Sequence, residues 1–210
     1  MTLGLQRLSY PTAFVLACFL PVLSQLLKSA KIAMSAPRDL FGGAITVRTA
    51  HDLVDASDLR QVPDTQEVFM YPCSSVSIVV EILQRAEPSN LDDAIRFHFD
   101  SLAHDNSARS VHVESVFTIP TDRGDNTPSA TILYGTQSIP KFNQSVPDQV
   151  NIYMALFRIQ DKSIDLVVTF NVPTSSVDGG AVNSTGVERA KADFSEFVSS
   201  LRIVDFGLFA

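Results

Sequence analysis

The acidic side chains between Val54 and Phe69 are the residues of this chain whose types and spacing best suit a chemical role. The block places four carboxylates around one base, Arg60, and they are Asp55, Asp58, Asp64 and Glu67. Carboxylates grouped in this way can pair with lysine or arginine side chains of another protein. A local interpretation also fits, in which the acids cap a turn, pair with Arg60 or lie on the solvent face of a strand. From the residues alone, both interpretations stay open.

Residues that could transform a substrate are scattered along the chain. The four histidines are His51, His98, His104 and His112. His98 lies between two phenylalanines of a predicted helix, and we expect it to be a partly buried structural residue. The two cysteines, Cys18 and Cys73, make neither a disulfide framework nor a metal cluster. Because the glycine-rich phosphate loop and the common hydrolase and zinc motifs are also missing from the sequence, we expect no substrate chemistry, cofactor or metal.

The charge of the chain favours a protein partner over nucleic acid. Its 210 residues hold 16 Lys and Arg against 23 Asp and Glu, which gives a formal net charge of −7. The basic excess is confined to residues 1–33, which have no acid, so the rest of the chain is more acidic still. An acidic surface repels a phosphate backbone, whereas a complementary field speeds association with a basic protein. We therefore expect no nucleic-acid partner.

Residues 1–33 form an apolar extension with its own character. Positions 12–27 are almost wholly apolar, with Arg7 before them and Lys28 after them, as in the core of a signal peptide. The stretch is shorter than the roughly 20 apolar residues of a membrane-spanning helix, and Pro21 interrupts it. We predict a single domain over residues 34–210.

The hydrophobic pattern of that domain predicts more strands than helices. Strands are predicted at 44–48, 66–71, 111–119, 131–139, 150–159 and 164–172, where apolar residues alternate or run continuously. Helices are predicted at 75–86, after the capping residue Asn90, and at about 186–202. The short link at 160–163 makes the last two strands an antiparallel hairpin. The order predicts an α+β fold, a largely antiparallel sheet covered by helices.

Five short motifs of the domain are specific enough to compare with a known family. They are Phe41-Gly-Gly-Ala-Ile, the block ending in Val62-Pro-Asp-Thr-Gln-Glu-Val, Val111-His-Val-Glu-Ser-Val, Thr169-Phe-Asn-Val-Pro and Leu208-Phe-Ala. Together they resemble the Ran guanine-nucleotide release factor family, also called the Mog family. The resemblance covers the chain from about Leu40 to its end. It implies the fold that this family shares with the PsbP-like proteins.

The resemblance also implies a function and a site. Family members bind the small GTPase Ran, promote release of its guanine nucleotide and so regulate nuclear protein import. Their acidic residues in the Val-Pro-Asp-Thr-Gln-Glu-Val motif lie on the Ran-contacting surface, and these positions are Asp64 and Glu67 here. Asp58, within the matching Asp-Leu-Arg, and Asp55 are further candidates. We expect a monomer in the nucleus and cytoplasm, with no membrane partner for the folded domain.

One alternative function depends on residues 1–33. If they are a working signal, the chain would be a secreted or membrane-tethered PsbP-like structural or binding protein, and Asn143 and Asn183 would become potential glycosylation sites. If they come from a start codon upstream of the native one, the protein begins at Met34. We favour the second interpretation, because the family is intracellular and its motifs begin only after Met34.

Overall fold

The strands lie in two β-sheets within the part of the chain that the structure describes, residues 35–120, 124–141 and 144–210 of a computed structural model. The smaller sheet contains β1 (Ser35–Leu40), β2 (Ile45–Ala50) and β10 (Arg202–Ile203). The larger contains β3 (Val54–Asp55), β4 (Gln66–Met70), β5 (Ser77–Gln84), β6 (Ser110–Ile119), β7 (Ala130–Ile139), β8 (Asp148–Ile159) and β9 (Ile164–Ser175). The apolar extension and the sequon at Asn143 lie outside the described residues.

Neighbouring strands of both sheets run antiparallel. The small sheet has the order β1-β2-β10, and the large one has the order β3-β4-β5-β9-β8-β7-β6. The 3₁₀ turn at Gln160–Lys162 closes the predicted hairpin of β8 and β9. This arrangement confirms the predicted antiparallel sheet.

Two helices pack on opposite faces of the large sheet. Helix α1 (Leu91–Asp105) begins at Asn90, whose side chain accepts hydrogen bonds from the first-turn backbone N–H groups, as predicted. Helix α2 (Ser184–Ser200) begins at Asn183 in a similar way. Alternate residues of β8 serve the two faces: Met154 lies in the apolar cluster of α1, and Ala155 lies in the cluster of α2. This interior strand is therefore apolar on both sides, as expected of a strand covered twice.

The predicted helix at 75–86 is wrong, because this segment forms strand β5 between β4 and β9. Its apolar residues also occur at helical spacing, but Val80 and Ile82 pack into the α2 cluster while Leu83 packs into the α1 cluster. A short apolar run that serves both faces of a sheet has no distinct period, and its β-branched residues favour a strand. The domain thus begins with strands rather than with helices.

The C-terminal tail docks on the domain, as its apolar composition predicts. A 3₁₀ turn at Phe206–Phe209 follows β10, and Phe209 is buried. Phe206 and Leu208 pack against the same cluster as α2. Among the described residues, no helix combines the length and the apolar character that a membrane crossing requires.

Candidate functional site

Three of the four predicted site residues line one depression on the surface. Asp55, Asp64 and Glu67 contribute to it, and its volume is about 290 Å³. It lies where the 3₁₀ turn at Ala56–Asp58 meets the start of β4. Asp58 is exposed but does not line the depression. The fold therefore brings together acids that are up to 12 positions apart in the sequence.

Asp55 holds the turn that forms one wall of the depression. Its Oδ1 atom accepts hydrogen bonds from the backbone N–H of Ser57 at 2.8 Å and from the Ser57 hydroxyl at 2.7 Å. This geometry is the helix cap that the local interpretation predicted. Asp55 therefore positions the wall, and its Oδ1 atom is already occupied.

Glu67 connects the depression to the turn between β1 and β2. Its Oε1 atom accepts a 2.6 Å hydrogen bond from the backbone N–H of Phe41. Phe41, Gly42 and Gly43 all have positive φ angles, of 49°, 65° and 93°. Glycine adopts such angles without steric cost, whereas Phe41 needs support from its surroundings. The Phe-Gly-Gly motif and the acidic motif, which are separate in the sequence, are thus in direct contact.

Asp64 is the acid of the depression whose whole carboxylate remains available. It lies in the turn before β4, which the Gln66 backbone closes with a 2.9 Å hydrogen bond to the Pro63 carbonyl. Its side chain is exposed. Within the described residues, neither a hydrogen bond nor an ion pair engages the Asp64 carboxylate. The same is true of Asp58, so the alternative in which Asp58 pairs with Arg60 is wrong.

An exposed leucine beside the acids was missed by the sequence reasoning. Leu59 follows the Ala56–Asp58 turn, and its side chain is 67% exposed to solvent. In the sequence, only its position between the charged residues Asp58 and Arg60 could have indicated that it is exposed. A single exposed apolar side chain is normal on a protein surface, so Leu59 by itself does not define an interface.

His98 belongs to a buried polar cluster away from the depression, and this cluster explains why a histidine is buried there. Its Nε2 atom lies 2.8 Å from the Oδ2 atom of Asp165, which also receives the Ala86 backbone N–H at 3.0 Å. Arg158 donates to both carboxylate oxygens of Asp165 at 2.8 Å. Another N–H of Arg158 donates to the Pro88 carbonyl at 2.6 Å. His98 is only 7% exposed, so it is a structural residue, as predicted.

The protonation of Asp165 follows from these contacts. Burial alone would raise the pKa of its carboxyl, but the hydrogen bonds from Arg158, His98 and Ala86 more than offset burial and hold that pKa far below its ordinary value. A carboxylate that stays ionised and fully bonded fixes α1 to the β8–β9 hairpin. Among the described residues, no group of three or more His, Cys, Asp or Glu has a metal-binding arrangement.

Comparison with known proteins agrees with the motifs. A family model described as the Ran-interacting Mog1 protein matches residues 38–173. The Ran guanine nucleotide release factor of Homo sapiens is 37% identical over 186 residues, which cover 84% of this chain and 98% of that protein. The nuclear import protein MOG1 of Saccharomyces cerevisiae is 29% identical over 199 residues, which cover 82% of this chain and 84% of that protein.

A solved structure supports the same relationship. The crystal structure of the Saccharomyces cerevisiae Ran-binding protein Mog1p superposes with a TM-score of 0.69 at 25% identity. The match covers 85% of this chain and all of that one, which confirms the predicted α+β fold class. By its sequence motifs, its family match and its fold, this chain belongs to the Ran-interacting Mog1 family.

Proposed function

We propose that this protein binds the small GTPase Ran, promotes release of its guanine nucleotide and thereby regulates nuclear protein import. Relatives named Ran guanine nucleotide release factor and nuclear import protein support this function, and none of those names supports a secreted PsbP-like one. The structural observation that carries the proposal is the depression at Asp64 and Glu67, where the family motif presents an exposed and unpaired carboxylate.

Release of the nucleotide follows from thermodynamic linkage. A protein that binds nucleotide-free Ran more tightly than loaded Ran must weaken nucleotide binding by the same factor. Asp64 and the second oxygen of Glu67 would pair with lysine or arginine side chains of Ran that otherwise support the loaded state. Removing one partner of a buried interfacial charge pair costs about 2–5 kcal/mol of binding free energy.

The protein in this proposal is a regulator without substrate chemistry of its own. Asp64 and Glu67 are its main contacts, Asp58 is a further contact at the edge, and Asp55 holds the wall of the depression. It acts as a monomer in the nucleus and cytoplasm, and its folded domain, residues 34–210, binds neither nucleic acid nor membrane. The acidic composition supports the exclusion of nucleic acid.

Release of labelled GTP from purified Ran tests the proposal. We expect the full chain to accelerate release and the Asp64→Lys variant to lose this effect. Glu188→Lys is the matched control, because Glu188 is exposed on α2 and its charge acts on Tyr153 of β8 rather than on the residues of β4. A folded wild-type chain that leaves the release rate unchanged would refute the function. Equal losses in both variants would refute the site.

A further inference from the structure

A second concave surface lies next to the acidic depression. Helix α1 packs over β6, β7 and β8, and a groove of about 370 Å³ separates it from β5. The floor of the groove includes the buried side chains of Met154 and Val167, together with the polar Thr169. Phe97 of α1 lies at the groove and is 48% exposed. The groove therefore has a largely apolar floor and is open to solvent.

Two carboxylates line this groove, Glu81 from β5 and Asp105 from the last turn of α1. None of the described residues lining the groove is a lysine or arginine. Glu81 accepts a 2.7 Å hydrogen bond from the side-chain amide of Gln66, its neighbour on β4. No ion pair within the described residues neutralises Glu81. Its second carboxylate oxygen can therefore accept a hydrogen bond from a group that binds in the groove.

The environment of Glu81 disfavours its charge. Burial raises the pKa of the Glu81 carboxyl, and the nearby charge of Asp105 raises it further, although the Gln66 hydrogen bond and His98 act in the opposite direction. A partly buried carboxylate without a counter-ion costs free energy. A cation placed beside Glu81 would recover that cost, so the groove is complementary to a positive charge.

One hydrogen bond links the depression to the groove. Gln66 lines the depression, and its amide reaches across to Glu81 in the groove. Asp64 and Glu67 flank Gln66 in the sequence. A protein partner seated on Asp64 is therefore one side chain, that of Gln66, away from Glu81, whereas Glu67 pairs with Val80 and points to the other face of β4.

We propose that the groove receives a lysine or arginine side chain of the GTPase that binds at Asp64, with Glu81 as its ion-pair acceptor. The stem of such a side chain would pack on Met154 and Val167 while its charged end pairs with Glu81, because long basic side chains bury their methylene groups readily. Asp105 adds to the attraction from the opposite wall. This inference rests on the proposed function and extends its site.

Calorimetric titration of nucleotide-free Ran with the full chain tests the groove. Glu81→Gln removes the charge but keeps an oxygen that can accept from Gln66, and we expect it to weaken binding by about tenfold or more. The loss should shrink at high salt, which a purely structural defect would not do. Asp105→Asn, at an exposed position that the fold does not need, should weaken binding by a smaller factor in the same direction.

Glu188→Gln on α2 is the control and should bind like the wild type. If Glu81→Gln and Asp105→Asn bind normally while Asp64→Lys does not, the groove inference is wrong and the proposed function stands. If the wild-type chain itself fails to bind Ran, both are wrong. An equal loss in Glu188→Gln would also overturn the groove, since the effect would then reflect the overall charge alone.

Discussion

The carboxylate of Glu67 accepts a 2.6 Å hydrogen bond from the backbone N–H of Phe41, a residue whose φ angle is 49°. One proposed Ran contact therefore also supports a turn with an unfavourable backbone conformation. A partly buried N–H without an acceptor costs about 1–3 kcal/mol of stability. Charge reversal at Glu67 would remove both the charge and the acceptor, so binding and folding effects would be confounded there.

Separate substitutions distinguish these two roles of Glu67. Glu67→Gln keeps an acceptor for Phe41, and we expect it to weaken Ran binding while the free energy of unfolding stays within about 0.5 kcal/mol of the wild type. Glu67→Ala leaves the Phe41 N–H unpaired and should lower that free energy by about 1–3 kcal/mol. Denaturant unfolding with parallel calorimetry measures both. Equal stability of the two variants would contradict the supporting role of the hydrogen bond.

Asp165→Asn should be strongly destabilising. It leaves the buried Arg158 guanidinium without a counter-ion, and breaking a buried ion pair from one side costs about 3–5 kcal/mol. Asp161→Asn, in the exposed turn of the same hairpin, is the control and should change the unfolding free energy by less than about 0.5 kcal/mol. Urea unfolding at neutral pH checks the pair. A loss similar in size to that of Asp161→Asn would show that the cluster is dispensable.

The same carboxylate makes a predictable contribution to acid sensitivity. Because the folded pKa of Asp165 is lowered, its stabilisation is present above the unfolded pKa of about 3.9 and is lost as the pH falls toward the folded value. We expect the difference in stability between the wild type and Asp165→Asn to be constant from pH 7 to about pH 5 and to narrow below about pH 4. Unfolding curves at several pH values measure this difference, and a difference that widens in acid would contradict the assignment.

Glu81 should show the opposite pH dependence. Its folded pKa is raised, chiefly by burial, so the folded state binds more protons than the unfolded state in the interval above the ordinary pKa. Stability therefore falls as the pH rises through that interval, and Glu81→Gln should have a higher Tm than the wild type at pH 7. The gain should disappear near pH 4. Thermal unfolding at both pH values, with Glu188→Gln as the control, tests this, and a lower Tm at pH 7 would refute it.

Several elements were predictable because their signals are local. The Asn90 cap and the apolar stripe that follows it define α1, and the short link at 160–163 defines the β8–β9 hairpin. These features depend on residues within a few positions of one another. Strand β5 was predicted wrongly, because its backbone is held by β4 and β9, and its side chains serve two faces of a sheet that the local sequence does not reveal.

The candidate site was predictable only in part. The motif of Asp64 and Glu67 was identified from the sequence, and so was the cap formed by Asp55. The sequence did not reveal that Glu67 supports Phe41, because 26 positions separate the two residues. Nor did it reveal the exposed Leu59 or the groove at Glu81, since exposure and concavity depend on which elements pack nearby.

The sequence by itself determined the class of fold, the acidic character of the domain and the motif that links it to its family, because composition, periodicity and short motifs are properties of neighbouring residues. Tertiary structure alone decided which acids remain available. It occupied one oxygen of Glu67 with Phe41, enclosed Asp165 with Arg158 and left Asp64 exposed. Hydrogen bonding and desolvation set the properties of a carboxylate, and both depend on residues that folding brings from distant parts of the chain.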